Sequence, residues 1–180
     1  MIIPIIQNGH PALRKIAKEV ERKKITAPEI QAVIKNMADT VRKTANGVAI
    51  AAPQISQSLR VFLVLERVWN PELFDQTASQ RKHAKKQKES IAVFINPKIT
   101  KMSRTLAVIE EGCLSVEGVY GKTRRHANVT VKAYDANGKI FKREATGLFA
   151  QVIQHEVDHL DGKLFIDHAI ELYKIGATKE

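Results

Sequence analysis

His155 and His159 lie one helical turn apart, on the same stripe as Leu148 and Val152, in a stretch running from Thr146 toward Gly162. In a helix those four positions share one face, and an apolar face must turn inward. Any fold this chain adopts therefore has to bury two imidazoles, and a buried polar ring needs a partner. One divalent ion can serve both rings, because side chains four apart on a helix are close enough to share it. Glu156 stands beside the first histidine, where it reaches the ion's water but not the ion. Thr146 is the expected N-cap of this helix and Gly162 its expected C-terminal glycine. The spacing His-Glu-x-x-His also arises by chance on helix surfaces; the apolar stripe is what sets this instance apart.

A hydrolytic ion takes three protein ligands and leaves its fourth position open. A third histidine further along is absent, since Phe165 occupies that position, and Glu171 lies beyond the helix end at Gly162. The remaining donor is Cys113, in Glu111-Gly112-Cys113-Leu114-Ser115. A lone cysteine is ordinarily a small buried hydrophobe, but a glycine-flanked thiol in a loop after a strand suits a soft metal ligand. It is the only cysteine, so an internal disulfide is excluded and a reducing, intracellular compartment is expected. A third segment, Gly47-Val48-Ala49-Ile50-Ala51-Ala52-Pro53-Gln54, has small residues that let a substrate backbone approach. Pro53 fixes the chain direction and presents Gln54, whose amide can donate to an oxyanion. Taken alone, that segment reads equally as tight packing against the first helix.

Around these segments the pattern is α+β, with mostly antiparallel sheets packed around the central helix that carries His-Glu-x-x-His. After an irregular lead-in, Thr26 with Glu29 predicts a capping box, and Ile30, Val33, Ile34, Met37 and Val41 repeat at helical spacing until Asn46-Gly47. Strands are expected at Val61–Leu65, Ile91–Ile95 and Leu106–Ile109, with a hairpin formed by Asn128–Tyr134 and Ile140–Arg143. Residues 75–90 are nearly devoid of apolar side chains and read as a charged surface insertion in a single domain spanning 1–180. No apolar run reaches the ~20 residues of a membrane span. Nor does the start Met1-Ile2-Ile3-Pro4-Ile5-Ile6 read as a signal peptide. The net charge of +10 points to an acidic partner such as RNA, the ribosome or a membrane surface.

Taken together and in this order, the three segments resemble the peptide deformylases. That family carries Gly-x-Gly-Leu-Ala-Ala-Pro-Gln, Glu-Gly-Cys-Leu-Ser and Gln-His-Glu-x-Asp-His, the last two intact here as Glu111–Ser115 and Gln154–His159. With His10-Pro11-Ala12-Leu13-Arg14, the similarity runs from about residue 5 to residue 168. The resemblance implies removal of formyl from the formyl-methionine of nascent polypeptides, in a bacterial cytoplasm. It implies one ion on Cys113, His155 and His159, Fe²⁺ first, with Zn²⁺, Ni²⁺ or Co²⁺ as alternatives. It assigns the acid/base role to Glu156 and the oxyanion donors to Gln54 and the Leu114 N–H. Gly47, Val48, Ala49, Ile50, Leu148 and Val152 are the expected substrate contacts, and Arg125 is expected to pair with Glu111 or another site carboxylate. Ala49 replaces a family glycine, Ile50 a leucine, and Glu117 a proline. The competing readings are a general metallopeptidase and a deformylase-like chain that binds RNA without turnover.

Overall fold

The computed structural model describes residues 1–70 and 89–174; most of the insertion expected at 75–90 lies outside them. Two helices and eight strands make up the described architecture. Helix α1 spans Pro28–Lys43 and α2 spans Gly147–Leu160. The strands are β1 Ala49–Ala51, β2 Val61–Leu65, β3 Ile91–Met102, β4 Leu106–Cys113, β5 Val116–His126, β6 Asn128–Tyr134, β7 Ile140–Thr146 and β8 Glu171–Lys174. One sheet runs β1-β2-β3-β6-β7 and a second runs β4-β5-β8, with every pairing between named strands antiparallel.

The five-stranded sheet is covered on both faces, which explains the uninterrupted apolar run of β2. Phe62 and Val64 join Phe149, Ala150 and Ile153 of α2, while Val61, Leu63 and Leu65 join Ile30, Ile34, Met37 and Val41 of α1. All five β2 residues are fully buried. Each side chain buried in this way contributes roughly 1.5–3 kcal/mol. Helix α2 thus packs against the larger sheet along one side and meets β5 of the smaller sheet on the other.

Several local expectations change. Helix α1 starts at Pro28 with Ala27 as its cap, and no side chain bonds to the freed N–H groups. Proline's fixed φ nucleates the first turn, which puts Glu29 a residue too early for the predicted Thr26 capping box. Thr146 precedes α2 in extended conformation, also without a side-chain cap bond. Strands β3 and β4 run well past their predicted ends, and β5 and β8 were not foreseen. The stripe on α2 is graded: Leu148 is exposed, Val152 and His159 buried, and His155 intermediate.

Gly162 ends α2 as expected. Its φ is +72°, and a Cβ built there would lie 2.7 Å from the Arg14 carbonyl oxygen. Gly162→Ala should therefore cost about 2 kcal/mol or more and lower Tm by roughly 4–8 °C. An unchanged melting curve would show that the chain at Arg14 gives way freely.

Candidate metal centre

Two elements bring the three donors together. The β4–β5 register shifts between Gly112 and Cys113, so a bulge ends β4 at Cys113; Leu114 and Ser115 make the turn into β5. Bulges re-aim side chains, and this one points the thiol at α2. Cys113 Sγ lies 3.2 Å from His159 Nε2. The donor atoms of Cys113, His155 and His159 all lie within 4.8 Å of one another. An ion bonded tetrahedrally to sulfur and nitrogen holds its donors roughly 3.3–3.6 Å apart, so the triangle is of the right size for one ion.

The outer nitrogen of one ring is fixed. His155 Nδ1 lies 3.2 Å from Glu111 Oε2, which leaves Nε2 for the ion. Arg125 grips Glu111 at two points, at 2.6 and 2.9 Å, and reaches Asp158 at 2.6 Å. Burial alone would raise the Glu111 carboxyl, but hydrogen bonds from Arg125 and His155 outweigh it and hold the group well below the usual carboxylate range. The predicted Arg125–Glu111 pair is thus present, with Asp158 as an unforeseen third member. Burial, aided by the positive charge around it, holds His159 well below the ordinary histidine value. It therefore stays neutral, the form that ligates metals.

Glu156 is 4% exposed, and its Oε2 is buried with no hydrogen-bond partner. Burial pushes its pKa up to about 7; the Glu111 charge adds to the rise and His155 opposes it. The Gln54 amide is oriented by its own chain: the Ala51 N–H donates to Oε1 at 2.8 Å, and Nε2 then faces Ser115 Oγ at 3.2 Å and Cys113 Sγ at 3.8 Å.

A cavity of about 790 Å³ opens over these groups. Of the predicted residues, Cys113, Leu114, Gln54, Glu156, His155, Val48, Ala49, Leu148 and Val152 line it. Ile50 does not: side chains alternate along β1, so Ala49 and Ala51 face α2 while Ile50 packs, fully buried, on the α1 side. Gly47 is also off the wall, its carbonyl accepting a hydrogen bond from Arg67. Unforeseen walls come from the N-terminal segment, notably Ile3 and Ile5, and from Tyr120. That segment clamps both donor loops. The Ile6 N–H bonds the Gln54 carbonyl at 2.9 Å, the Asn8 N–H bonds Ser115 at 2.7 Å, and Gln7 Nε2 bonds the Leu114 carbonyl at 3.0 Å. Its apolar run was visible in the sequence, but without a period that would set its orientation.

An α+β scaffold that gathers a half-buried thiol, a half-buried imidazole and a buried one around one point, with an unpartnered carboxylate beside them, fits a metal-dependent hydrolase. Residues 2–174 match the polypeptide deformylase family. The chain is 38% identical over 173 residues to a peptide deformylase of Desulforudis audaxviator, covering 96% of this chain and 97% of that one. It is 42% identical over 166 residues to peptide deformylase 2 of Nostoc sp., covering 92% and 85%. Its fold is similar to that of a Met-Ala-Ser-bound class I type b peptide deformylase from Acinetobacter baumannii, with TM-score 0.78, 30% identity and coverage of 93% and 98%. The chain belongs to the polypeptide deformylase family, enzymes that hydrolyse the formyl group from the N-terminal formyl-methionine of new polypeptides. The metallopeptidase and non-catalytic readings are thereby set aside.

The Glu156 environment gives a signed expectation for chelator-treated protein. A carboxyl raised to about 7 stabilises the fold below the unfolded value near 4.5, and that contribution is lost as pH rises toward 7. Glu156→Gln should match the parent near pH 5 and exceed its stability by on the order of 2–3 kcal/mol at pH 8. Urea unfolding at both pH values checks this; a pH-independent difference would contradict it.

Proposed function

We propose that Cys113, His155 and His159 hold one divalent ion, Fe²⁺ in the cell, and that Glu156 moves the proton in formyl hydrolysis. The observation that carries this reading is the unpartnered Glu156 Oε2, buried beside a donor triangle of metal-binding size. Thiolate with two imidazoles accommodates Fe²⁺ or Zn²⁺, and the family resemblance favours iron. When bound, the ion supplies Lewis acidity that polarises the formyl carbonyl and makes water nucleophilic near neutral pH. Glu156 accepts the water's proton and delivers it to the departing amine nitrogen. The Gln54 Nε2 and Leu114 N–H groups donate to the oxygen on which negative charge develops, each contributing about 3 kcal/mol. Leu148, Val152 and Val48 take the methionine side chain. Strand β1 is the first in its sheet, so its outer edge can pair with an extended peptide past Ala49.

The Met-Ala-Ser peptide held by the Acinetobacter baumannii relative supports a methionine-first substrate in this cavity. Bacterial relatives support a bacterial cytoplasmic setting, and the basic surface supports work at the ribosome. One catalytic domain covering 1–180 carries this activity.

Anaerobic purification, with metal content and formate release measured on the same sample, tests the assignment. Cys113→Ala should lose the ion while the fold survives. Glu156→Gln should keep it and lose ~100-fold in turnover of formyl-Met-Ala-Ser. An ion stripped by the Glu156 change would make that residue a ligand and the mechanism wrong. Iron-loaded enzyme should lose activity faster in air than under argon.

Ala49 lies in β1 and is absent from the positive-φ residues, so its methyl group trims the groove without straining the chain. Ala49→Gly should tighten binding of longer formyl peptides, barely change kcat on the smallest, and cost about 0.5–1 kcal/mol of stability. A gain in Tm would reveal strain at this position.

A further inference from the structure

Helix α1 covers only the β1–β2 half of its face of the larger sheet. On the same face of the other half, register sets Lys98 of β3 against Lys132 of β6, and Lys132 against Lys142 of β7. All three are exposed. Adjacent strands are ~4.8 Å apart, so three ammonium groups stand side by side across three strands. Like charges directly opposite each other destabilise a sheet. Alongside lies a groove of about 410 Å³, walled in part by Lys98, Lys132, Arg22 and Tyr134. The Arg22 guanidinium lies over the Tyr134 ring, 5.8 Å from its centre. Of the carboxylates nearby, Glu19 approaches Lys98 itself at 3.7 Å, Glu21 is held by Lys23 and Lys24, and Glu144 shares the face two residues from Lys142. None of the three lysines lines the catalytic cavity.

We propose that the Lys98–Lys132–Lys142 row, with Arg22 at its edge, is a docking surface for the phosphate backbone of RNA. A rigid line of ammonium groups matches a polymer of evenly spaced phosphates, and binding RNA removes the repulsion that the row imposes on the free protein. RNA is favoured over an anionic membrane because Ile140 is the one exposed apolar side chain on the groove's wall, too little to anchor in a bilayer, while the Tyr134 ring lies under Arg22. The inference rests on the reading that this enzyme meets its substrates at the ribosome, and it gives that contact a place.

The test is fluorescence anisotropy with a labelled RNA hairpin of about 20 nucleotides, titrated at several salt concentrations. Lys98→Gln/Lys132→Gln/Lys142→Gln should weaken binding about tenfold at low salt and flatten the log–log salt slope by about 2. A control of equal charge, Lys15→Gln/Lys163→Gln/Lys174→Gln, should stay within about twofold of the parent. The row variant should melt no earlier than the parent and release formate from formyl-Met-Ala-Ser at the parent rate. Should it melt early, the single variants Lys98→Gln and Lys142→Gln decide, each expected to remove about a third of the slope. Equal weakening by both triple variants, no RNA binding by the parent, or tighter binding to phosphatidylglycerol vesicles than to RNA would overturn the proposal. Formate release is measured separately, so failure here leaves the hydrolytic assignment standing.

Discussion

Arg125 reaches from β5 to Glu111 on β4 and to Asp158 on α2, and through Glu111 it fixes His155. These contacts join the smaller sheet to the helix where the thiol must meet two imidazoles. Both Glu111 and Arg125 are nearly fully buried, so the dielectric around them is low and each charge depends on the others. Removing one member of such a buried set typically costs 3–5 kcal/mol, because a charge is left uncompensated. An apolar replacement of the whole set could equal its stability, but it would leave His155 free to turn. One guanidinium between two carboxylates also leaves negative charge in excess beside the donors, which favours a divalent cation there.

The same burial that steadies Glu111 works in the opposite direction on Glu156. Glu111 has the Arg125 guanidinium and the His155 ring within reach, so its charged form wins. Glu156 has an oxygen with no partner and a neighbouring carboxylate, so its neutral form is favoured. Two carboxyls on adjoining elements are thus separated in acidity by their surroundings alone, one as a fixed anion and the other as a proton carrier. The unpartnered Glu156 Oε2 and His159 Nδ1 are groups that a protein selected for stability alone would pair.

The parts of this arrangement that were legible in the sequence are those with a period or a sole candidate. A spacing of four placed both histidines and Glu156; a unique thiol between glycine and leucine supplied the candidate third donor; five apolar residues in a row marked Val61–Leu65 as a strand. Strand β5 was missed for a physical reason. Its inward positions include Thr123, buried with its hydroxyl unpaired, and Arg125, which serves a polar network, while Lys122 and Arg124 decorate the other side. Neither face shows apolar alternation. Ile50 was misassigned because family position was taken to mean cavity wall, whereas strand alternation sends every second side chain to the α1 core. The Ile3 and Ile5 walls are held by backbone bonds to Gln54 and Ser115, contacts that no local pattern encodes.

The lysine row can also be weighed against a purely protective role. Lysines on an edge strand block unwanted pairing with another sheet, and Lys142 on β7, the last strand of its sheet, fits that use. Lys132 does not, since β6 is paired on both sides; Lys98 lies past Ile95, where the β2 pairing ends, and has β6 alone beside it. Opposite them, on the buried side, Val129, Val131 and Ala133 hold the sheet against α2, so the strands form whatever the outer face carries. A face released from folding constraints accumulates mixed polar residues if nothing selects among them. Three like charges in direct register, of which Lys98 alone has a carboxylate approaching it, add repulsion to the free sheet, and an external anion bridging them would relieve it.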